Sequence, residues 1–243
     1  MEQLWFTAKL NHLLAGPVTA LLRALHFKPA HPEAPISNPV AMEVLVVLIL
    51  FAFFLLVRSR LSVENPGSLQ HIFEGLHGFI DNQGKEIIGH HNEPYTAFLA
   101  TIFIYVLLCN LLGLVPGFES PTATPAVPLG IAICAFLYYN FQGIKKQGPV
   151  HYAAHFMGPF WWLAPLMIPI EIVSHLARVM SLTIRLYANM FAGDMVTLVF
   201  FSLVPALVPV MFLGLHIFVS ALQAYIFALL TMVYLSGAVA EEH

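Results

Sequence analysis

The chain has 243 residues, of which 59% are hydrophobic and only 9% are Asp, Glu, Lys or Arg, with a mean hydropathy of +0.80. A soluble domain carries roughly a quarter charged residues, so this composition describes a polytopic membrane protein. Ten Lys and Arg against thirteen Asp and Glu, net −3, leave no basic surface for phosphates, which excludes nucleic-acid binding. Cys109 and Cys134 lie in apolar runs and form neither a disulfide framework nor a CxxC pair.

Residues 1–36 have apolar positions interrupted by Lys9, Asn11 and His12. No basic region precedes an unbroken apolar core, so no cleaved signal peptide is read. The expectation is an amphipathic outer segment beside a single transmembrane domain at 37–243. A spanning helix needs about 20 mostly apolar residues. The first such run is 41–57, closed by Arg58 and Arg60. Next, Leu69, Ile72, Phe73, Leu76, Phe79 and Ile80 recur at spacings of three and four, with Glu74, His77 and Asp81 between them. That pattern is an amphipathic helix of about 66–91 lying along the interface. Further spans follow at 95–116, 126–142, 160–203 and 209–240. The fold class is thus an all-α integral membrane protein with about five crossings and one interfacial helix.

Arg58, Arg60 and Lys85 lie between the first two spans, and Lys145 and Lys146 follow the third, whereas the 117–125 loop holds Glu119 and no Lys or Arg. The positive-inside rule then places the N-terminus outside and Glu241-Glu242-His243 inside.

Between Pro169 and Pro205 there is no proline, and Gly193 is the one glycine. As one helix this stretch rises about 53 Å, and Val210–Val239 about 45 Å. The hydrocarbon core is only about 30 Å thick. The last two helices therefore make a long, steeply tilted hairpin.

That hairpin holds Glu171, His175, Arg178, Arg185, Asp194 and His216, and ionisable groups inside membrane segments are costly and usually functional. At 100° per residue, Ser174, His175, Arg178, Ser181, Arg185 and Asn189 share a face with Glu171. Small Ala188 and Ala192 continue the stripe, which lets another helix approach closely. On the second helix His216, Ser220 and Gln223 form a stripe of their own. Two titratable clusters result, Glu171 with His175 and Asp194 with His216. Arg185 lies between them and stays charged at any physiological pH. Its neighbours Glu171 and Asp194 are about 21 Å and 13 Å away along the axis. Its counter-charge is expected from a partner subunit.

Two other readings compete with this one. A proton-coupled secondary transporter should show internal repeats and Gly/Pro-broken helices, and none is seen in the sequence. His151 and His155 have ligand spacing, but HYAAH lacks the Glu of HExxH. Together with His90-His91 they read as solvated loop histidines, with no metal or other cofactor implied.

The stretches SLTIRLYANMFAGDM (181–195), HIFVSALQAYIFALLTMVYL (216–235) and NLLGLVPG (110–117) closely resemble subunit a of F-type ATP synthases, the membrane stator of a proton-driven rotary motor. The resemblance implies that Arg185 is the stator arginine facing the proton-carrying carboxylate of a rotating c-subunit ring. Asn189 and Gln223 match its polar neighbours. Asp194 and His216 match the outer half-channel, where the family often has Glu, so Asp194 is a shorter variant. Glu171 matches the inner half-channel acid. Ser174, His175, Arg178, Ser181 and Ser220 form the supporting polar face. Partners so implied are the c ring, b-type peripheral stalk subunits and the rest of the synthase, with no nucleotide site in this chain. A bacterial plasma membrane is the implied setting.

Overall fold

A computed structural model of the chain describes residues 4–24, 34–59, 61–62, 67–89, 92–115, 117–149, 152, 162, 164–203 and 207–240. Seven long helices account for nearly all of them: α1 (Trp5–Ala24), α2 (Asn38–Ser59), α3 (Ser68–Ile87), α4 (Glu93–Leu112), α5 (Ala126–Gln147), α6 (Ala164–Leu203) and α7 (Leu207–Val239), with a 3-10 turn at Pro121–Ala123. Among the described residues there is no strand. Five helices among the described residues are long and apolar enough to cross a membrane: α2, α4, α5, α6 and α7. The all-α membrane architecture expected from the sequence is the one observed. His90, His91, His151, His155, Arg60 and the C-terminal Glu241–His243 lie outside the described residues.

The core is built where α4, α5, α6 and α7 meet. Ile102 and Val106 of α4 and Ile131 and Ala135 of α5 are buried against Leu182, Leu186 and Met190 of α6, and Ala224 and Phe227 of α7. Outward residues are equally apolar: Val47, Leu48, Phe51, Leu55 and Leu56 on α2, and Val173, Leu176, Met180 and Ile184 on α6, are exposed. In lipid such a surface carries no penalty, and the helices satisfy their own backbone hydrogen bonds.

Helix α6 has 40 residues and α7 has 33, rises of about 60 Å and about 50 Å, so neither fits upright in a core about 30 Å thick. Gly193 does not interrupt α6. Pro169 lies within its second turn, where the absent N–H frees the Pro165 carbonyl near the helix start.

Several boundaries differ from those expected, two of them with a clear local cause. Helix α4 ends at Leu112 rather than 116, because the chain folds back at Gly113. A Cβ there would stand 2.7 Å from Ser120 Cβ, so only glycine admits the return. Helix α5 runs on to Gln147. Lys145 and Lys146 fall in its last turn, where cations complement the helix dipole, and Gly148 at φ 83° ends it.

Two amphipathic helices flank the bundle. Asn11 of α1 brackets Ile36, donating to its carbonyl and accepting from its N–H, both at 3.0 Å. Helix α3 is fastened by Tyr225 donating to Gln83 (2.9 Å) and by Ser236 donating to the Ile87 carbonyl (2.8 Å).

Candidate functional site

Helices α6 and α7 pack side by side, and their polar stripes meet at Arg185. Leu182 and Leu186 turn into the core and hold this stretch of α6 in register, leaving Arg185 half-buried at the rim. Its Nη2 donates to Ser181 Oγ at 3.3 Å. Among the described residues it forms no ion pair. Gln223, Ile226 and Phe227 of α7 line a shallow notch with it. Asn189, one turn on, is half-buried, while Ser181, Ala188 and Ala192 are exposed. The guanidinium thus stands between its own bundle and an uncovered flank of small residues.

Toward the turn of the hairpin, His216 is buried and its Nε2 lies 3.7 Å from Asp194 Oδ1. That gap is too long for a hydrogen bond, and among the described residues Nε2 has no hydrogen-bond partner. Asp194 is half-exposed, so the pair joins an accessible carboxyl to a buried imidazole. Ser220, one turn below His216, is fully buried. Its carbonyl accepts from Asn110 of α4 at 3.2 Å, and Asn110 Oδ1 accepts from Thr122 at 2.6 Å. Ser120 completes the cluster, its hydroxyl 2.9 Å from that of Thr122 and donating to the Cys109 carbonyl at 3.2 Å.

At the other end of α6, Glu171 Oε1 lies 3.3 Å from His175 Nε2. The far nitrogen of that ring, Nδ1, is 2.9 Å from the Tyr139 hydroxyl of α5. Arg178 lies over the Tyr234 ring, 5.3 Å from its centroid, a cation–π placement. Ser174 is half-buried beside them.

Both expected titratable pairs are therefore brought together, one on each side of Arg185. Sequence reasoning missed the residues outside the hairpin: Tyr139, Asn110, Thr122 and Ser120. It also missed Tyr105 of α4, which donates to Glu43 of α2 at 2.8 Å. An asparagine inside an apolar span was a usable signal for Asn110. Tyr139 sits among Phe136, Leu137 and Tyr138, where aromatic residues read equally well as core or interface. Among the described residues no three His, Cys, Asp or Glu side chains converge as metal ligands would.

A sequence profile of the ATP synthase A chain family matches residues 40–236, which takes in nearly all of α2 to α7 and every site residue just described. The chain belongs to the ATP synthase A chain family. Relatives described as ATP synthase subunit a agree along nearly the whole length. That of Koribacter versatilis is 58% identical over 242 residues, covering 100% of this chain and 99% of the relative. That of Solibacter usitatus is 55% identical, covering 96% and 99%, and that of Geobacter sulfurreducens is 40% identical, covering 92% and 94%. As an ATP synthase A chain, this protein is a multi-pass membrane subunit of the proton-translocating sector, and nucleotide chemistry belongs elsewhere in the complex. The Koribacter match also covers α1, which the family profile leaves out.

Proposed function

We propose that this subunit is the stator of a proton-driven rotor, with two offset half-channels separated by Arg185. The observation that carries the reading is a half-buried guanidinium without a carboxylate of its own among the described residues. It is flanked by the exposed small stripe of Ser181, Ala188 and Ala192 and bracketed along the helix by two titratable pairs. A permanent cation in a membrane costs at least about 2.5–3.5 kcal/mol on insertion scales, and a partner's carboxylate at the stripe offsets that cost. The partner is a ring of small c subunits, each carrying one acid; b-type stalk subunits hold the stator still.

Protons enter from outside through Asp194 and His216 and neutralise a ring carboxylate, which then tolerates lipid. After nearly a full turn the carboxylate meets the inner half-channel at Glu171 and releases its proton. Asn189 and Gln223 position the guanidinium, which favours the ionised acid beside it. Having no proton to give at physiological pH, Arg185 also blocks direct passage between the channels. Each charge crossing gains about 2.3 kcal/mol per 100 mV, so a leak wastes the driving field. The N-terminus lies outside and the C-terminus inside a bacterial plasma membrane, with residues 1–36 an outer segment on the transmembrane domain of 37–243.

The test is Arg185→Ala and Arg185→Lys in the assembled synthase. Both should abolish or severely impair proton-driven ATP synthesis, because lysine lacks the planar, weakly hydrated fork. Cysteines at Ser181, Ala188 and Ala192 should cross-link to the c subunit. Normal coupled synthesis by Arg185→Ala overturns the reading.

A further inference from the structure

We propose that Glu171, His175 and Tyr139 form a three-residue proton-holding site in which His175 sets the pH range over which the inner half-channel loads and unloads. This rests on the reading of Glu171 as the acid of that channel and adds a buried histidine and a tyrosine from a different helix. The geometry is a continuous string. Glu171 Oε1 stands 3.3 Å from His175 Nε2, and His175 Nδ1 stands 2.9 Å from the Tyr139 hydroxyl. Exposure falls along it, from 30% for the Glu171 side chain to 11% for that of His175, and Tyr139 is buried. The carboxylate thus meets the accessible side, and the imidazole is held behind it.

The ring has little freedom. It lies end-on to Tyr139 with 16° between planes and 6.0 Å between centroids, and is near-perpendicular to Phe136 at 78°. With Nδ1 held by the Tyr139 hydroxyl and Phe136 packed against the ring, its two nitrogens stay aimed along the string. Among the described residues, the groups around it come from three helices. On α6 itself Glu171 and Arg178 lie one turn to either side. From α5 come Tyr139 and Phe136, with Asn140 accepting a 2.7 Å hydrogen bond from Tyr152. From α7 comes Tyr234, 6.1 Å from Tyr139 between ring centroids, which holds Arg178 over its own face.

Proton positions follow from donors and acceptors. With Glu171 ionised and His175 neutral, Nε2–H donates to the carboxylate and the Tyr139 hydroxyl donates to Nδ1. An arriving proton has two resting places. It sits on Glu171 Oε2, or on His175 Nδ1 once the hydroxyl has turned to accept. In the second case the imidazolium is neutralised by the carboxylate beside it. Either way the pair takes up one proton and goes from net −1 to neutral. A second proton would leave a net positive pair beside Arg178. Histidine is the side chain whose charge changes near neutral pH, so it gives the site a second proton-holding group beside the carboxylate.

The test uses the whole synthase in proteoliposomes. ATP-driven proton pumping per ATP hydrolysed is read while the pH facing the inner channel is varied from about 5.5 to 8.5, across the imidazole range. The wild type should show a transition inside that window. His175→Phe, which keeps an aromatic ring against Phe136 and Tyr139, should move the midpoint to lower pH by about one unit or more. His175→Gln, which keeps polar reach to both neighbours, should do the same and serves where the phenylalanine variant does not assemble. Tyr139→Phe should move it in the same direction by less, and the profile against outer pH should not change. A flat wild-type profile, or unchanged midpoints in both His175 variants, overturns the proposal. Glu171→Gln separates it from the reading beneath: impaired pumping there with wild-type His175 profiles overturns the histidine's role alone. Normal pumping with an unchanged inner profile in Glu171→Gln overturns the assignment of Glu171 as well.

Discussion

Gly193 of α6 makes the room that His216 of α7 occupies: a Cβ built on Gly193 would stand 2.8 Å from His216 Nδ1 and 3.1 Å from Cε1. The imidazole is buried and cannot swing away without displacing its neighbours. Glycine costs about 1 kcal/mol against alanine inside a helix, so its presence here is explained by the ring it admits rather than by helix stability. Gly193→Ala should strengthen α6 locally yet push His216 off line with Asp194. A misplacement of about 1 Å can cost on the order of 10²-fold in rate, so pumping by the assembled synthase should fall by roughly ten- to a hundredfold. Pumping at the parent rate, with the complex assembled normally, would show that the close approach has no functional role.

The 3.7 Å between His216 Nε2 and Asp194 Oδ1 leads to a second expectation. One more methylene lengthens the side chain by about one carbon–carbon bond, roughly 1.5 Å, enough to bring a carboxylate within hydrogen-bond reach. Asp194→Glu should therefore retain pumping and give His216 a direct partner. Asp194→Asn keeps the shape but cannot exchange a proton, and a lost acid–base group costs roughly 10²-fold or more. Proton flux into reconstituted vesicles from the outer side measures both. An asparagine variant as fast as the parent would remove Asp194 from the path.

Much of this arrangement was legible in the chain because membrane helices obey two simple rules. Length and apolar content gave the spans, and the 3.6-residue period put Glu171, Ser174, Arg178, Ser181 and Arg185 on one face. The pairing of Glu171 with His175 follows from i, i+4 spacing within a single helix, and it is observed. What could not be read were contacts between helices far apart in sequence. Tyr139 precedes His175 by 36 positions and Asn110 precedes Ser220 by 110, and no periodicity reports such distances. The fold-back at Gly113 was likewise hidden, because NLLGLVPG continues an apolar run while the chain itself has already turned toward Ser120.

The Asn110 cluster fixes the 120–122 turn to the hairpin. Asn110, Thr122 and Ser220 are fully buried, and Asn110 is the one bridge between the turn and the Ser220 carbonyl among the described hydrogen bonds. Asn110→Leu preserves volume but removes the acceptor of the Thr122 hydroxyl, which keeps only its contact with the Ser120 hydroxyl, and the second donor to a carbonyl that lies within α7. Each net hydrogen bond lost costs about 0.5–1.5 kcal/mol, so the purified synthase should lose this subunit at a lower temperature than the parent. Thr122→Val, which leaves only the Asn110 carbonyl oxygen short of a donor, should have the smaller effect. Release of the subunit on heating, followed by gel, ranks the two. An Asn110→Leu complex as heat-stable as the parent would mean that the bridge contributes nothing.

At the interface helix the pH dependence has a definite sign. Asp81 Oδ2 lies 2.6 Å from Lys85 Nζ, and Asn92 donates to both the Asp81 carbonyl (3.0 Å) and Oδ1 (2.9 Å). Gly84 permits that approach, since a Cβ there would meet Asn92 Nδ2 at 2.6 Å. The Lys85 hydrogen bond first, and that of Asn92 next, hold the Asp81 carboxyl below its ordinary 3.8, and the same pairing raises Lys85 above 10.5. A depressed acid contributes stability above its unfolded value and loses it as pH falls through the folded value. A raised base contributes below its unfolded value and loses it as pH rises through the folded one. The corner joining α3 to α4 should therefore be insensitive to pH between about 5 and 10, loosening below 3.8 and above 10.5. The effect should be modest and weaken with salt, because the pair is partly solvated. Amide exchange over residues 81–89 in proteoliposomes should accelerate in acid, after correction for intrinsic rates. Asp81→Asn should exchange faster at neutral pH and lose the acid step, and an acid step that persists in that variant would assign it to another group.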